Sequence, residues 1–169
     1  PFLFPLIQEI VCKYNINIYY LTSDINDSIL LYKNINFIPY YIGNGLLLTL
    51  SFYFIKARMM VMTMPDLNNY QLKRSVYSVH YIYVQHALSS LHMSYRHGAF
   101  NFFDTIFCAG PHHVKELSLI EQKYNLPKKI KIEHGYKRLD SIIENNEQLK
   151  VKNVSTHALF APSWGNNAA

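Results

Sequence analysis

The stretch His80–His113, HYIYVQHALSSLHMSYRHGAFNFFDTIFCAGPHH, decides how this chain is read. It contains two apolar runs, Tyr81–Gln85 and Thr105–Ala109, rich in aromatic and β-branched residues, and each gives way to polar or turn-forming residues. It also holds six of the eight histidines. Imidazole is the one side chain whose unperturbed pKa lies near neutrality, so histidines gathered at a strand exit are able to exchange protons with a bound hydroxyl. Chemistry is therefore sought first at Gln85-His86, where the first run ends.

On both sides of this stretch, strand and helix patterns alternate. Pro5–Lys13 has apolar residues at helical spacing, with Pro5 suited to a first turn and Asn15 to a stop. Ile16–Leu21 reads as a strand, Ser23 and Asp24 as caps of a helix through Leu31, and Phe37–Ile42 as a short extended run. A helix near Leu46–Ala57, a strand Met59–Met64 and an irregular polar segment Pro65–Arg74 precede the quoted stretch. A helical turn is expected after His86, and a helix opened by Pro111 through Lys123. A strand Ile130–Glu133 and a helix Leu139–Asn145 follow. Continuous apolar strands alternating with helices predict an α/β fold, a Rossmann-like doubly wound parallel sheet with helices on both faces. In such sheets ligands bind at strand carboxyl ends. Gln85-His86, Gly110–His113 and His134–Tyr136 each follow a predicted strand and are expected at one edge.

The chain has 169 residues, 50% of them hydrophobic and 15% aromatic, enough to bury a core in one ordinary domain. Residues 1–150 read as that domain. The polar Glu144–Val154, ENNEQLKVKNV, reads as a linker, and residues 151–169 as linker plus the first strand, His157–Pro162, of a second domain. Because the first residue is Pro1 and the last strand is cut short, the sequence reads as a piece of a longer protein, with an incomplete amino terminus and no evident signal peptide. The net charge of +5, with much of the lysine excess in Lys123–Lys137 and Lys150–Lys152, points to an anionic partner. No nucleic-acid-binding module accompanies that charge, so no nucleic acid is expected. Cys12 and Cys108 have apolar neighbours and no metal spacing, and read as buried reduced thiols. Leu46–Ile55 is half the roughly 20 residues a membrane-spanning helix needs and reads as a core helix. Tyr81, Tyr83 and the methionines from Met59 to Met64 are assigned to the core.

Several positions are open both to chemistry and to ordinary structure. His86 at a strand end suits a general base, or else a loop histidine near a helix start. His80, His86, His92 and His97 match no metal-site spacing, and no metal or other cofactor is expected. Ser89 and Ser90 lack a nucleophile elbow; they suit phosphate binding at a helix start or plain capping. Gly110, with Pro111, His112 and His113, suits close approach of an anion to helix amides, or an ordinary strand-to-helix turn. Gly135, Tyr136 and Arg138 offer a permissive turn, an aromatic and a phosphate-steadying cation, with Asp140 able to cap the helix that follows.

Taken in order, YVQHALSSLH (Tyr83–His92), FDTIFCAGPHHVKEL (Phe103–Leu117), HGYKRLD (His134–Asp140) and ALFAPSWG (Ala158–Gly165) resemble the CDP-glycerol glycerophosphotransferase family of teichoic acid and capsule polymerases and primases. The likeness covers roughly Tyr81–Gly165, whereas Pro1–Tyr77 matches only in general pattern. It implies the acceptor-side, N-terminal half of a GT-B architecture and a transferase moving glycerol phosphate, or a similar polyol phosphate, from a CDP-activated donor to a cell-surface polymer hydroxyl. The family's WHGT-P histidine, a catalytic base, falls on His86, and its GYPRND-like turn on Gly135–Asp140. His92, His97, His112 and His113 then become acceptor-site neighbours. Here Gln85 replaces Trp, Ala87 and Leu88 replace Gly-Thr, Lys137 replaces Pro and Leu139 replaces Asn.

The resemblance further implies that the donor is held mainly by residues outside this chain, and that these residues alone are inactive. It implies an anionic polymer or glycolipid acceptor, a cytoplasmic location and peripheral contact with the inner face of a bacterial plasma membrane. A GT-B glycosyltransferase using a nucleotide sugar, or a non-catalytic anionic-polymer-binding domain, are the alternatives.

Overall fold

A computed structural model describes residues 4–32, 34 and 36–148. The chain divides into two compact units, Pro1–Gly135 and Tyr136–Ala169. The first opens with helix α1 (Phe4–Tyr14) and strand β1 (Ile18–Thr22), which pairs in parallel with β2 (Phe37–Tyr41). Helix α2 (Leu46–Phe54) leads to β3 (Met59–Met62), β4 (His80–Val84), the short α3 (Leu91–Ser94), β5 (Thr105–Cys108), α4 (Pro111–Lys123) and β6 (Ile130–Glu133). The last four strands form a parallel sheet in the order β3-β4-β5-β6. The α/β class and the parallel, helix-flanked, Rossmann-like sheet agree with the sequence reading, although the strands fall into a two-stranded and a four-stranded sheet.

The core lies against β4 and β5. Tyr81, Tyr83, Leu67, Leu91, Phe103, Ile106 and Leu117 are almost wholly enclosed. Tyr83 meets Phe100 and Phe103 edge-on at 4.9 and 5.3 Å between ring centroids. The two core tyrosines satisfy their hydroxyls as burial requires: Ser75 N–H donates to Tyr81 Oη at 2.8 Å, and Tyr83 donates to Tyr95 Oη at 3.1 Å. At the amino end of the sheet Asp104 accepts the Tyr81 N–H and both Nη2 bonds of Arg74, which fastens the irregular segment between β3 and β4 to the sheet.

Local readings changed where burial did not follow apolar character. The helix expected from Ser23 to Leu31 contracts to one 3₁₀ turn, Ser28–Leu31, capped by Asp27 and burying no residue. Cys12 is exposed, although it follows buried Val11 on α1, while enclosed Cys108 has its thiol pushed up to about 11 by burial. Of the methionines, Met62 is buried, but Met59, on the edge strand β3, and Met64, past the end of that strand, are more than half exposed. Helix α2 packs Phe52 and Leu48 on the core, joined by Ile55 just past its end, yet exposes Leu46, Leu47, Leu50 and Phe54. At nine residues it spans about 14 Å. Among the described residues no helix is long and apolar enough to cross a membrane.

In the second unit the described residues Lys137–Gln148 form helix α5, so the expected linker is helical as far as Gln148. Asp140 sits within its first turn and does not precede it, and the Tyr136 carbonyl accepts the Leu139 and Asp140 N–H groups. The strand expected at His157–Pro162 and the ALFAPSWG run lie outside the described residues.

Candidate functional site

Because β4, β5 and β6 are parallel and adjacent, the segments leaving their carboxyl ends emerge side by side. They are Gln85–Ser90, Ala109–His113 and His134-Gly135, the grouping expected from the sequence. Gln85 prolongs β4 by donating its backbone N–H to Phe107 O at 3.0 Å, and His134 prolongs β6 by donating to Cys108 O at 3.0 Å. Gln85 is 1% exposed; its Oε1 accepts from Tyr95 Oη at 3.4 Å, and its Nε2 has no hydrogen-bond partner among the described residues. His86, the next residue, turns to solvent. Among the described residues no hydrogen bond, ion pair or ring contact engages its imidazole.

The first turns of α4 hold the His86 loop. His112 Nε2 lies 3.2 Å from Leu88 O, and His113 Nε2 lies 2.9 Å from Ser89 O. Ala109 N–H donates to His113 Nδ1 at 3.2 Å, so that nitrogen is the acceptor and Nε2 carries the proton donated to Ser89. Burial drives the His113 pKa below its ordinary 6.5, and the neighbouring His112 and His134 act in the same direction against Ser89 and Glu116. One turn on, Glu116 Oε2 accepts the Leu91 N–H at 2.6 Å and the His92 N–H at 3.4 Å, the start of α3. Burial alone would raise the Glu116 pKa, but hydrogen bonds from Ser90, Leu91 and His92 outweigh it and hold the carboxyl below its usual range. Ser90 Oγ and His92 Nδ1 are 2.7 Å apart. Gly110 lets the His112 ring fold back, since a Cβ there would stand 3.1 Å from Nδ1.

Of the residues singled out in the sequence, His86, Ser89, Ser90, His92, Gly110 and His112 share this edge. His97 does not: its ring stacks edge-on against Tyr124 at 4.2 Å, beyond the carboxyl end of α4 and about 20 Å of helix from Gly110. His80 begins β4 and bonds Thr105 Oγ1 at 2.8 Å. Gly135 adopts a φ of +77°, a left-handed turn that favours glycine. Tyr136 and Arg138 belong to the second unit, where Arg138 is exposed on the first turn of α5. Glu116 was missed, although its spacing of four from His112 was visible and places the two on one helix face.

Lys129 and Lys131, part of the basic stretch, are engaged internally. Lys129 Nζ donates to Asn101 O and Phe103 O, and Lys131 Nζ to Glu121 Oε2 at 2.7 Å. An open cleft of about 460 Å³ lies elsewhere in the first unit, lined by Leu21, Tyr41, Gly43, Leu47 and Ile55 among others, and includes none of the histidines. Among the described residues no three His, Cys, Asp or Glu side chains gather as a metal site.

The fold and the loops at its carboxyl edge define a Rossmann-like α/β domain carrying an exposed histidine at a strand exit. Comparison with known proteins found no matching family model, no matching curated protein and no matching solved structure.

Proposed function

We propose that this protein is a transferase that moves glycerol phosphate, or a similar polyol phosphate, from a CDP-activated donor to a hydroxyl of an anionic surface polymer or glycolipid. The observation that carries the reading is the position of His86, exposed and unengaged directly after β4, in a loop whose backbone is tied down on both sides. A general base needs that combination of a free nitrogen and a fixed approach. His86 takes the proton of the acceptor hydroxyl; the oxygen attacks the donor's β-phosphorus, the bond from that phosphorus to the bridging oxygen breaks, and CMP leaves. Ser90, His92 and the loop at Gly110 lie on the same edge, where an acceptor phosphate would meet hydrogen-bond donors. The reading places the protein in the cytoplasm, in peripheral contact with the inner membrane face where such acceptors are anchored.

The test is transfer of labelled polyol phosphate by the protein carrying this chain, across CDP-glycerol, CDP-ribitol and UDP-sugars. Transfer from a CDP-polyol is expected, with His86→Ala lowering turnover about 100-fold or more. Turnover within a few fold of the unsubstituted protein would remove His86 as base. Transfer from a UDP-sugar alone would replace the phosphotransfer reading with glycosyl transfer. The internal engagement of Lys129 and Lys131 weighs against a domain that merely binds polyanions through that stretch.

A further inference from the structure

We infer that the first turns of α4 form a clasp that positions His86, with His113 and Glu116 as its positioning residues; the inference rests on the proposed role of His86. The clasp engages four backbone groups of one short segment. The carbonyls of Leu88 and Ser89 accept from His112 and His113, while the amides of Leu91 and His92 donate to Glu116. On the other side, Gln85 is fixed to β5 through its N–H and buried to 1% exposure. Only His86 and Ala87 lie between the two anchors, so the free imidazole stands on a backbone tied within two residues on either side.

The choice of side chains is chemically specific. His113 is fully enclosed and uses both ring nitrogens, accepting from Ala109 and donating to Ser89. An apolar residue of the same volume would fill the space and satisfy neither group. Glu116 is the reciprocal part: an acceptor for the two N–H groups that α3 leaves free at its start. A donor pair and an acceptor on one helix face thus read the carbonyls and then the amides of the same loop. A purely packing role for this face would be served by leucine.

His113→Phe, His113→Gln and Glu116→Gln separate these roles. In the intact protein His113→Phe is expected to lower kcat about 100-fold, the scale of a misplaced catalytic group, with the donor KM within about twofold. His113→Gln, which restores a donor toward Ser89, is expected to recover most of that loss. Amide exchange at Leu91 and His92 should quicken in Glu116→Gln, and the His86 ring resonance, expected to be single and sharp in the unsubstituted protein, should broaden or split in His113→Phe. Unchanged His86 line shape in folded His113→Phe, or kcat within threefold, would overturn the clasp, with the threefold margin set well below the roughly 100-fold expectation. If the unsubstituted protein transfers nothing from any donor, the catalytic reading fails, and the resonance and exchange measurements still decide the clasp.

Discussion

At the scale of single residues, His113 ties stability to pH. Its neutral form is the one the fold accepts, and burial holds its pKa below 6.5. In the unfolded chain the ring protonates near 6.5, so its contribution is complete above that pH and is lost as pH falls toward the depressed folded value. Glu116 works in the same direction at lower pH: its lowered pKa gives stability that is complete above 4.5 and lost as acid protonates it. The melting temperature should therefore decline as pH falls below 6.5, and His113→Gln should flatten the upper part of that decline while leaving the part below 4.5. Thermal scans across that range check it; an unchanged upper slope in His113→Gln would assign it to another group. His86 was legible in the sequence because an apolar run stops there. The distant partner of His113 was not, since Ser89, 24 residues earlier, comes to it through the docking of α4.

Among the elements, α4 and β6 are joined by the pair Glu121–Lys131, whose side chains are 7% and 13% exposed at 2.7 Å. Glu121 also accepts the Lys129 N–H at 2.9 Å, so one carboxylate satisfies two groups at the approach to β6. Glu121→Ala should cost about 3–5 kcal/mol, because Lys131 is left enclosed without its counter-charge. The double change Glu121→Leu with Lys131→Met should recover much of that, since a matched apolar pair replaces both charges. Urea denaturation of the two variants measures it. Element type was readable wherever apolar runs were bounded by Gly, Pro or Asn, as at α4 and β5. Boundaries and burial were less so. Leu46–Phe54 is uniformly apolar and carries no sign of which side meets the core, and Ser23–Leu31 has helix-capping residues but too little buried surface to hold more than one turn.

For the first unit as a whole, the order of the four-stranded sheet repeats the order of the sequence, β3 then β4, β5 and β6. No strand has to be inserted between two that are already paired. During synthesis each new strand leaving the ribosome therefore finds its neighbour already made, and the sheet is able to grow by addition at one side. Nascent chains stalled at increasing lengths should show successive rises in pulling force as β4, β5 and β6 clear the exit tunnel; one late rise would mean that no partial sheet persists. The edge that carries His86 is then assembled late. The β4 exit is translated first, but the helix that secures it follows β5, so a ribosome pausing between Ser90 and Glu116 would hold a protein whose sheet has begun and whose histidine loop is not yet gripped.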